Sequence, residues 1–236
     1  MAGLGNLSAS TLFFALLGGF LPSLLWLWFW LKEDSRRPEP RVNIMWAFLG
    51  GMAAVPIAIV FEYFVFYRAG LAAASALLAW AFIEEILKYF AARKTAISKP
   101  VFDEPVDAII YMITVALGFA ALENTLFIIK TFMESGVVSG LDIGNIRFIG
   151  ATLLHTASSA IVGSAVAFSY PSKKALNVRI IIGLVLAGLL HFAFNYLIIN
   201  IGDGNAMKVM VSLWIVIIAI ILIFEKVKKN YAHPVK

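Results

Sequence analysis

Two adjacent carboxylates and a lysine, Glu84, Glu85 and Lys88, interrupt the apolar run LAAASALLAWAFIEEILKYFAA. Three later apolar runs carry similar intruders. Glu123 and Asn124 lie in GFAALENTLF, His155 in LLHTASSAIVG, and His191 with Asn195 in LLHFAFN. In lipid, an ionisable group near the bilayer centre costs roughly 2.5–3.5 kcal/mol on insertion scales, so each of these needs partners and usually a task.

Helical spacing decides which of them share a face. Lys88 follows Glu84 by four residues and Glu85 by three, so one ammonium can neutralise either carboxylate. His191 and Asn195 are four apart and project together. His155 shares its face with Ser158 and Ser159. Phe119 lies one turn before Glu123, and Gly118 lets another helix approach closely. Adjacent helical residues point about 100° apart, so spacing leaves open which of Glu84 and Glu85 faces the others.

This inventory suits bond cleavage by water. A carboxylate in an apolar setting can act as general base, a histidine can hold the water or shuttle its proton, and an Asn amide can donate to a developing oxyanion. His155, His191 and Glu84 would equally suit a divalent metal such as zinc, with water in the fourth position. The residues themselves commit to no cofactor. The same groups could form a proton or ion pathway in a transporter, or lock the helices of a catalytically silent scaffold. Asn124 could be a simple interhelical hydrogen bonder. Glu62, close to Arg68, reads as interfacial and carries no assigned role.

The elements that must position these side chains are membrane helices. Of 236 residues, 61% are hydrophobic and 14% charged, with a mean hydropathy of +0.90. A soluble domain carries about 25% charged residues. A helix rising about 1.5 Å per residue needs about 20 apolar residues to span the hydrocarbon core. Seven segments qualify: 11–31, 43–66, 71–91, 107–129, 148–169, 178–200 and 207–224. The first lacks a basic leader and is too long for a signal-peptide core, so it is expected to stay in the mature protein. Loops are short and no internal repeat is evident. The expected fold is all-α, a single transmembrane domain over 1–236 with its motif-bearing core in 71–200.

Basic residues set the orientation. Fourteen of them fall in alternate connections and the tail: Lys32, Arg36, Arg37 and Arg41; Arg93, Lys94 and Lys99; Lys173, Lys174 and Arg179; Lys226, Lys228, Lys229 and Lys236. Only Arg68, Lys130, Arg147 and Lys208 fall on the other side. Cytoplasmic loops carry the basic excess, which puts the N-terminus outside and the C-terminus inside. The net charge of +5 therefore reads as topology, and no basic stripe with interleaved aromatics suggests nucleic acid. With no cysteine, disulfides, thiolate catalysis and cysteine-held metals are excluded.

Depth is the next test. Counted from outer ends near 129, 148 and 200, Glu123, His155 and His191 lie roughly 9–14 Å in. Three helices thus bring polar groups to one level in the outer half. The same count places Glu84 deeper, at roughly 20 Å, but span boundaries are set only to within about 5 Å, so a single cluster of Glu84 or Glu85 with Glu123, His155, His191 and Asn195 is allowed.

EEILK at 84–88, DEPVDAIIYMITVALGFAALEN at 103–124, His155 and HFAFN at 191–195 together resemble the PrsW family of intramembrane proteases. The resemblance covers more than half of the chain; the first two spans and the last are generic. It implies a superfamily shared with CAAX prenyl endopeptidases and the gamma-secretase scaffold subunit APH, whose motifs read EExxxR, FxxxH and HxxxN. Here lysine replaces the arginine one residue earlier, and the FxxxH position reads Phe119 to Glu123. Both departures match the PrsW branch and argue against CAAX substrates.

By that resemblance Glu84 is the water-activating base, supported by Glu85 and Lys88. Glu123 stands where prenyl proteases place a histidine, His155 and His191 complete the site, and Asn195 stabilises the oxyanion. The implied substrate is a membrane-anchored protein of the anti-sigma-factor kind, cut on the extracytoplasmic side of a prokaryotic plasma membrane. Both glutamate and metal mechanisms are compatible with the resemblance.

Overall fold

The computed structural model describes residues 8–34, 37–170, 177–200 and 206–231. Among them are seven helices and no strand: α1 (Ala9–Glu33), α2 (Arg41–Arg68), α3 (Ala73–Ala92), α4 (Pro105–Ile149), α5 (Ala151–Ala167), α6 (Val178–Asn200) and α7 (Ala206–Tyr231). The protein is an all-α, polytopic membrane protein. Five of the helices are long and apolar enough to cross a membrane. The other two fall short for reasons that bear on function. Glu84, Glu85 and Lys88 lower the hydropathy of α3, and α5 has only 17 residues. These two helices carry Glu84, Glu85, Lys88 and His155, which lipid would not tolerate unpaired.

Helix α4 is the axis of the bundle. Pro105 occupies its first position, and the Asp107 carboxylate reaches back to accept the N–H groups of Asp103 and Glu104 at 3.0 and 2.9 Å. This satisfies donors that a helix start leaves unpaired. Up to Gly136, 94% of its most apolar stretch is buried, whereas the corresponding stretches of α1, α2, α6 and α7 are 22–39% buried. Those outer helices present residues such as Phe13, Val60, Ile181 and Leu222 outward, as a lipid-facing surface should.

Packing onto α4 is backbone to backbone. A Cβ on Gly51 would lie 1.9 Å from the Val115 carbonyl oxygen, and one on Gly118 would lie 2.0 Å from that of Phe48. Small residues are needed here because lipid is as apolar as a leucine side chain. Helices therefore associate through close contact rather than hydrophobic exclusion.

One end of the bundle gathers the basic connections. Lys228 Nζ donates to the Glu33 carbonyl at 2.8 Å, Arg37 lies 3.9 Å from Glu104, and Tyr111 donates to Glu39. Tyr170 donates to the Asp103 carbonyl at 2.8 Å, and Arg179 to that of Phe168. The ends of α1, α3, α5 and α7 thus meet the starts of α2, α4 and α6, the alternation that seven helices require. Of the basic residues counted above, Arg36, Lys173, Lys174 and Lys236 lie outside the described residues.

The sequence boundary of the fourth span needs correction. Helix α4 does not end near 129 but stays helical to Gly136, where φ 84° and ψ 177° break it. Lys130 and Glu134 end the apolar run, yet charge at a membrane surface does not interrupt backbone hydrogen bonding.

Candidate active site

Four helices converge on one buried cluster. From α3, Lys88 Nζ lies 2.8 Å from Glu85 Oε1 and 3.3 Å from Glu84 Oε2, as the three- and four-residue spacings require. From α5, His155 Nδ1 receives the same ammonium at 2.8 Å, while its Nε2 lies 2.9 Å from Glu123 Oε2 of α4. From α6, His191 Nδ1 lies 2.9 Å from Glu85 Oε1. The two imidazole rings meet edge to face with centroids 5.1 Å apart.

The network fixes the tautomers by elimination. An ammonium can only donate, so His155 Nδ1 accepts and its Nε2–H donates to Glu123. The Glu85 carboxylate can only accept from His191, so a hydrogen sits on Nδ1, and Nε2 faces Glu84 Oε2 at 3.9 Å. Phe119 walls this region, its ring 5.4 Å from that of His155 and 4.5 Å from the Lys88 ammonium.

The two neighbouring carboxylates have different surroundings. Glu85 is fully buried and accepts from Lys88, His191, Ser158 at 2.9 Å and Ser159 at 3.1 Å. Three of these donors crowd Oε1 and Ser159 alone reaches Oε2. Among the described residues Glu84 has one hydrogen bond, the longer one to Lys88, and stands 3.8 Å from His155 Nδ1 and 3.9 Å from His191 Nε2. Glu123 keeps 18% of its side chain exposed.

Not every sequence-selected residue joins this cluster. Asn195, one turn after His191, is half-buried and makes no hydrogen bond with the cluster. Asn124 turns away and donates to Thr152 at 3.1 Å, linking α4 to α5. Glu84 stands in one cluster with Glu123 and the two histidines, which the depth count allows. Sequence reasoning assigned no role to Glu62 of α2, which is near enough to feel the charges of Glu84 and Glu123. The Trp80 indole donates to the Glu62 carbonyl at 3.2 Å and holds the two helices together there.

A metal ion fits the donor set once the Lys88 ammonium leaves His155 Nδ1. One ligand atom from each of Glu84, His155 and His191 lies within 4.8 Å of the others, and all three residues are buried. Two imidazoles and a carboxylate with an open position form a familiar catalytic zinc set. Glu85 holds the far nitrogen of His191 as a supporting carboxylate does for a metal-bound histidine. With neutral imidazoles, three carboxylates face one ammonium, and a divalent cation would balance the excess.

Comparison with known proteins agrees with this architecture. Residues 39–223 match the family described as PrsW family intramembrane metalloprotease. Protease PrsW of Geobacillus kaustophilus is 32% identical over 126 residues, 52% of this chain and 56% of that protein. Protease PrsW of Bacillus subtilis is 26% identical over 206 residues, 83% of this chain and 88% of that protein. That of Shouchella clausii is 25% identical over 176 residues, 72% and 77% respectively. No solved structure matches. A family match over most of the chain, on seven helices that enclose a carboxylate–histidine cluster, places this protein in the PrsW family of intramembrane proteases.

Proposed function

We propose that the protein is an endopeptidase that hydrolyses a peptide bond of a membrane-anchored, anti-sigma-factor-like protein, with Glu84 as the water-activating base. The N-terminus lies outside and the C-terminus inside a prokaryotic plasma membrane, and the cluster lies in the outer half of the bilayer. The observation that carries this reading is the contrast between Glu84 and Glu85. A base must have a lone pair free for the proton it takes. Among the described residues Glu85 accepts from four donors, three of them on Oε1, whereas Glu84 accepts from one and faces Nε2 of His191.

Each remaining residue then has a task. Lys88 offsets the charge of Glu85 and keeps His155 in one tautomer. His155 hands its other hydrogen to Glu123, which tethers α4 to α5 at the site. His191, oriented by Glu85, is placed to hold the attacking water together with Glu84. Asn195 is assigned to the oxyanion, which its position one turn from His191 allows once a substrate is bound. Glu84, His155 and His191 would hold a zinc ion; bound there, it would polarise the scissile carbonyl and acidify its water.

Reconstitution in liposomes with a panel of single-span peptides tests the reading. Wild type is expected to cleave at least one peptide, and Glu84→Gln and His191→Ala are expected not to. Cleavage that persists in Glu84→Gln removes the base assignment. Loss with chelator and rescue by zinc selects the metal mechanism. Failure to cleave any peptide shifts weight to the silent scaffold, and proton flux abolished by the same substitutions shifts it to the transporter.

A further inference from the structure

At the basic end of the bundle, a cavity of about 310 Å³ opens between the end of α3, the chain that follows it, and the facing ends of α5 and α6. Arg93 follows Glu84 by nine residues, roughly 14 Å along the helix axis, so this cavity is distinct from the carboxylate cluster. The two share no residue.

A π turn over Arg93–Ile97 shapes the opening. Such turns are rare and recur at functional sites, because the extra residue redirects side chains that a regular helix would carry elsewhere. Arg93, Ser98 and Lys99 supply donors to the cavity, while Ile97 and Phe102 supply apolar wall. The Tyr89 phenol is hydrogen-bonded to the Arg93 guanidinium. The Ser169 hydroxyl also lines the cavity, but it is committed to the Ala165 carbonyl at 2.7 Å and to Asn177. No carboxylate lines it.

Two cations and no carboxylate among the lining residues, in a partly apolar recess at the membrane surface, call for a compact anion. Arginine and lysine are the usual partners of phosphate, and basic pockets between helices on the cytoplasmic side suit lipid headgroups. We propose that this cavity binds the phosphate of an anionic phospholipid headgroup through Arg93, Lys99 and Ser98. The volume accommodates a headgroup and not a whole lipid, so the acyl chains would lie along the bundle surface.

The full-length protein in detergent tests this by thermal unfolding and direct titration with dihexanoyl phosphatidylglycerol, dihexanoyl phosphatidylcholine and inorganic phosphate. Phosphatidylglycerol is expected to bind and raise the unfolding midpoint, and phosphatidylcholine is not. The double variant Arg93→Gln/Lys99→Gln is expected to weaken that binding about tenfold or more. Lys94→Gln, a neutralisation at an exposed position beside the cavity, is expected to leave it unchanged. Ser98→Glu keeps both cations but adds a negative charge, and is expected to reproduce the loss. Inorganic phosphate binding as tightly as the lipid would support the phosphate site and identify a soluble anion as its source. Equal responses to both lipids, or an unchanged response in the double variant, would overturn the proposal.

Discussion

His191 Nδ1 lies 2.9 Å from Glu85 Oε1, so the carboxylate next in sequence to Glu84 orients an imidazole on another helix. This relationship separates two residues of identical chemistry. One is enclosed by donors and holds the site in shape; the other is left facing it.

Substitution at the two positions should therefore have different consequences. Glu84→Gln is expected to lower the cleavage rate by about 10²–10⁴-fold, the usual contribution of a general base, with little change in thermal stability. Glu85→Gln leaves the buried Lys88 ammonium without its closest counter-ion and is expected to destabilise the fold by about 3–5 kcal/mol. Peptide cleavage and thermal unfolding, measured on the same preparations, check the contrast. Equal stabilities for the two variants would remove it.

The Lys88–Glu85 pair should also be strongly coupled. Lys88→Met alone strands a buried carboxylate, while Lys88→Met/Glu85→Gln removes both charges. The double variant is expected to be more stable than the sum of the single losses by about 1–3 kcal/mol. A double-mutant cycle by denaturant unfolding in detergent reads this directly, and additivity would mean that the pair contributes only to geometry.

The α2–α4 contact predicts where small residues are obligatory. Gly51→Ala brings a Cβ to 1.9 Å from a backbone oxygen, which cannot be relieved by a rotamer change. It is expected to cost at least about 1–3 kcal/mol by overpacking, and Gly118→Ala a similar amount. Gly70 is the control. It has φ +61° and nothing within 4 Å of an added Cβ, so Gly70→Asn, which tolerates that backbone, is expected to be near neutral. Unfolding midpoints of the three variants give the comparison.

A pH dependence follows from Asp34, just beyond the end of α1. Burial, then the nearby Glu104 and Glu39 carboxylates, push its pKa up from 3.8 to about 7, against the opposing pull of Lys228. A carboxyl group whose folded pKa is raised contributes stability that is fully present below its unfolded pKa and lost as pH rises through the folded value. Wild type and Asp34→Asn are therefore expected to melt alike near pH 4 and to diverge up to about pH 7, with the variant more stable at pH 8. Parallel melting curves at pH 4 and pH 8 would remove Asp34 as the titrating group.

Much of the molecule was legible in the sequence because lipid imposes simple rules. Apolar run length gave all seven helices, and the alternation of basic connections matches the end of the bundle where Lys228 meets Glu33 and Tyr170 meets Asp103. Polar residues that break those runs marked the cluster, since each is costly in hydrocarbon unless paired. Spacing alone put Lys88 within reach of both Glu84 and Glu85.

Three matters depended on tertiary structure. Glu84 and Glu85 differ only in direction, and that direction has meaning only when Ser158, Ser159 and His191 arrive from other helices to occupy one of them. The end of α4 was hidden as well, because hydropathy records contact with lipid, whereas the helix is held by its own hydrogen bonds as far as Gly136. Asn124 and Asn195 look alike in sequence, yet one bridges to Thr152 and the other stands half-buried apart from the cluster. Composition and period determine which residues must leave the lipid; only the packing of helices around α4 decides which of them meet, because contacts between distant segments are set by approach and rotation that no local pattern encodes.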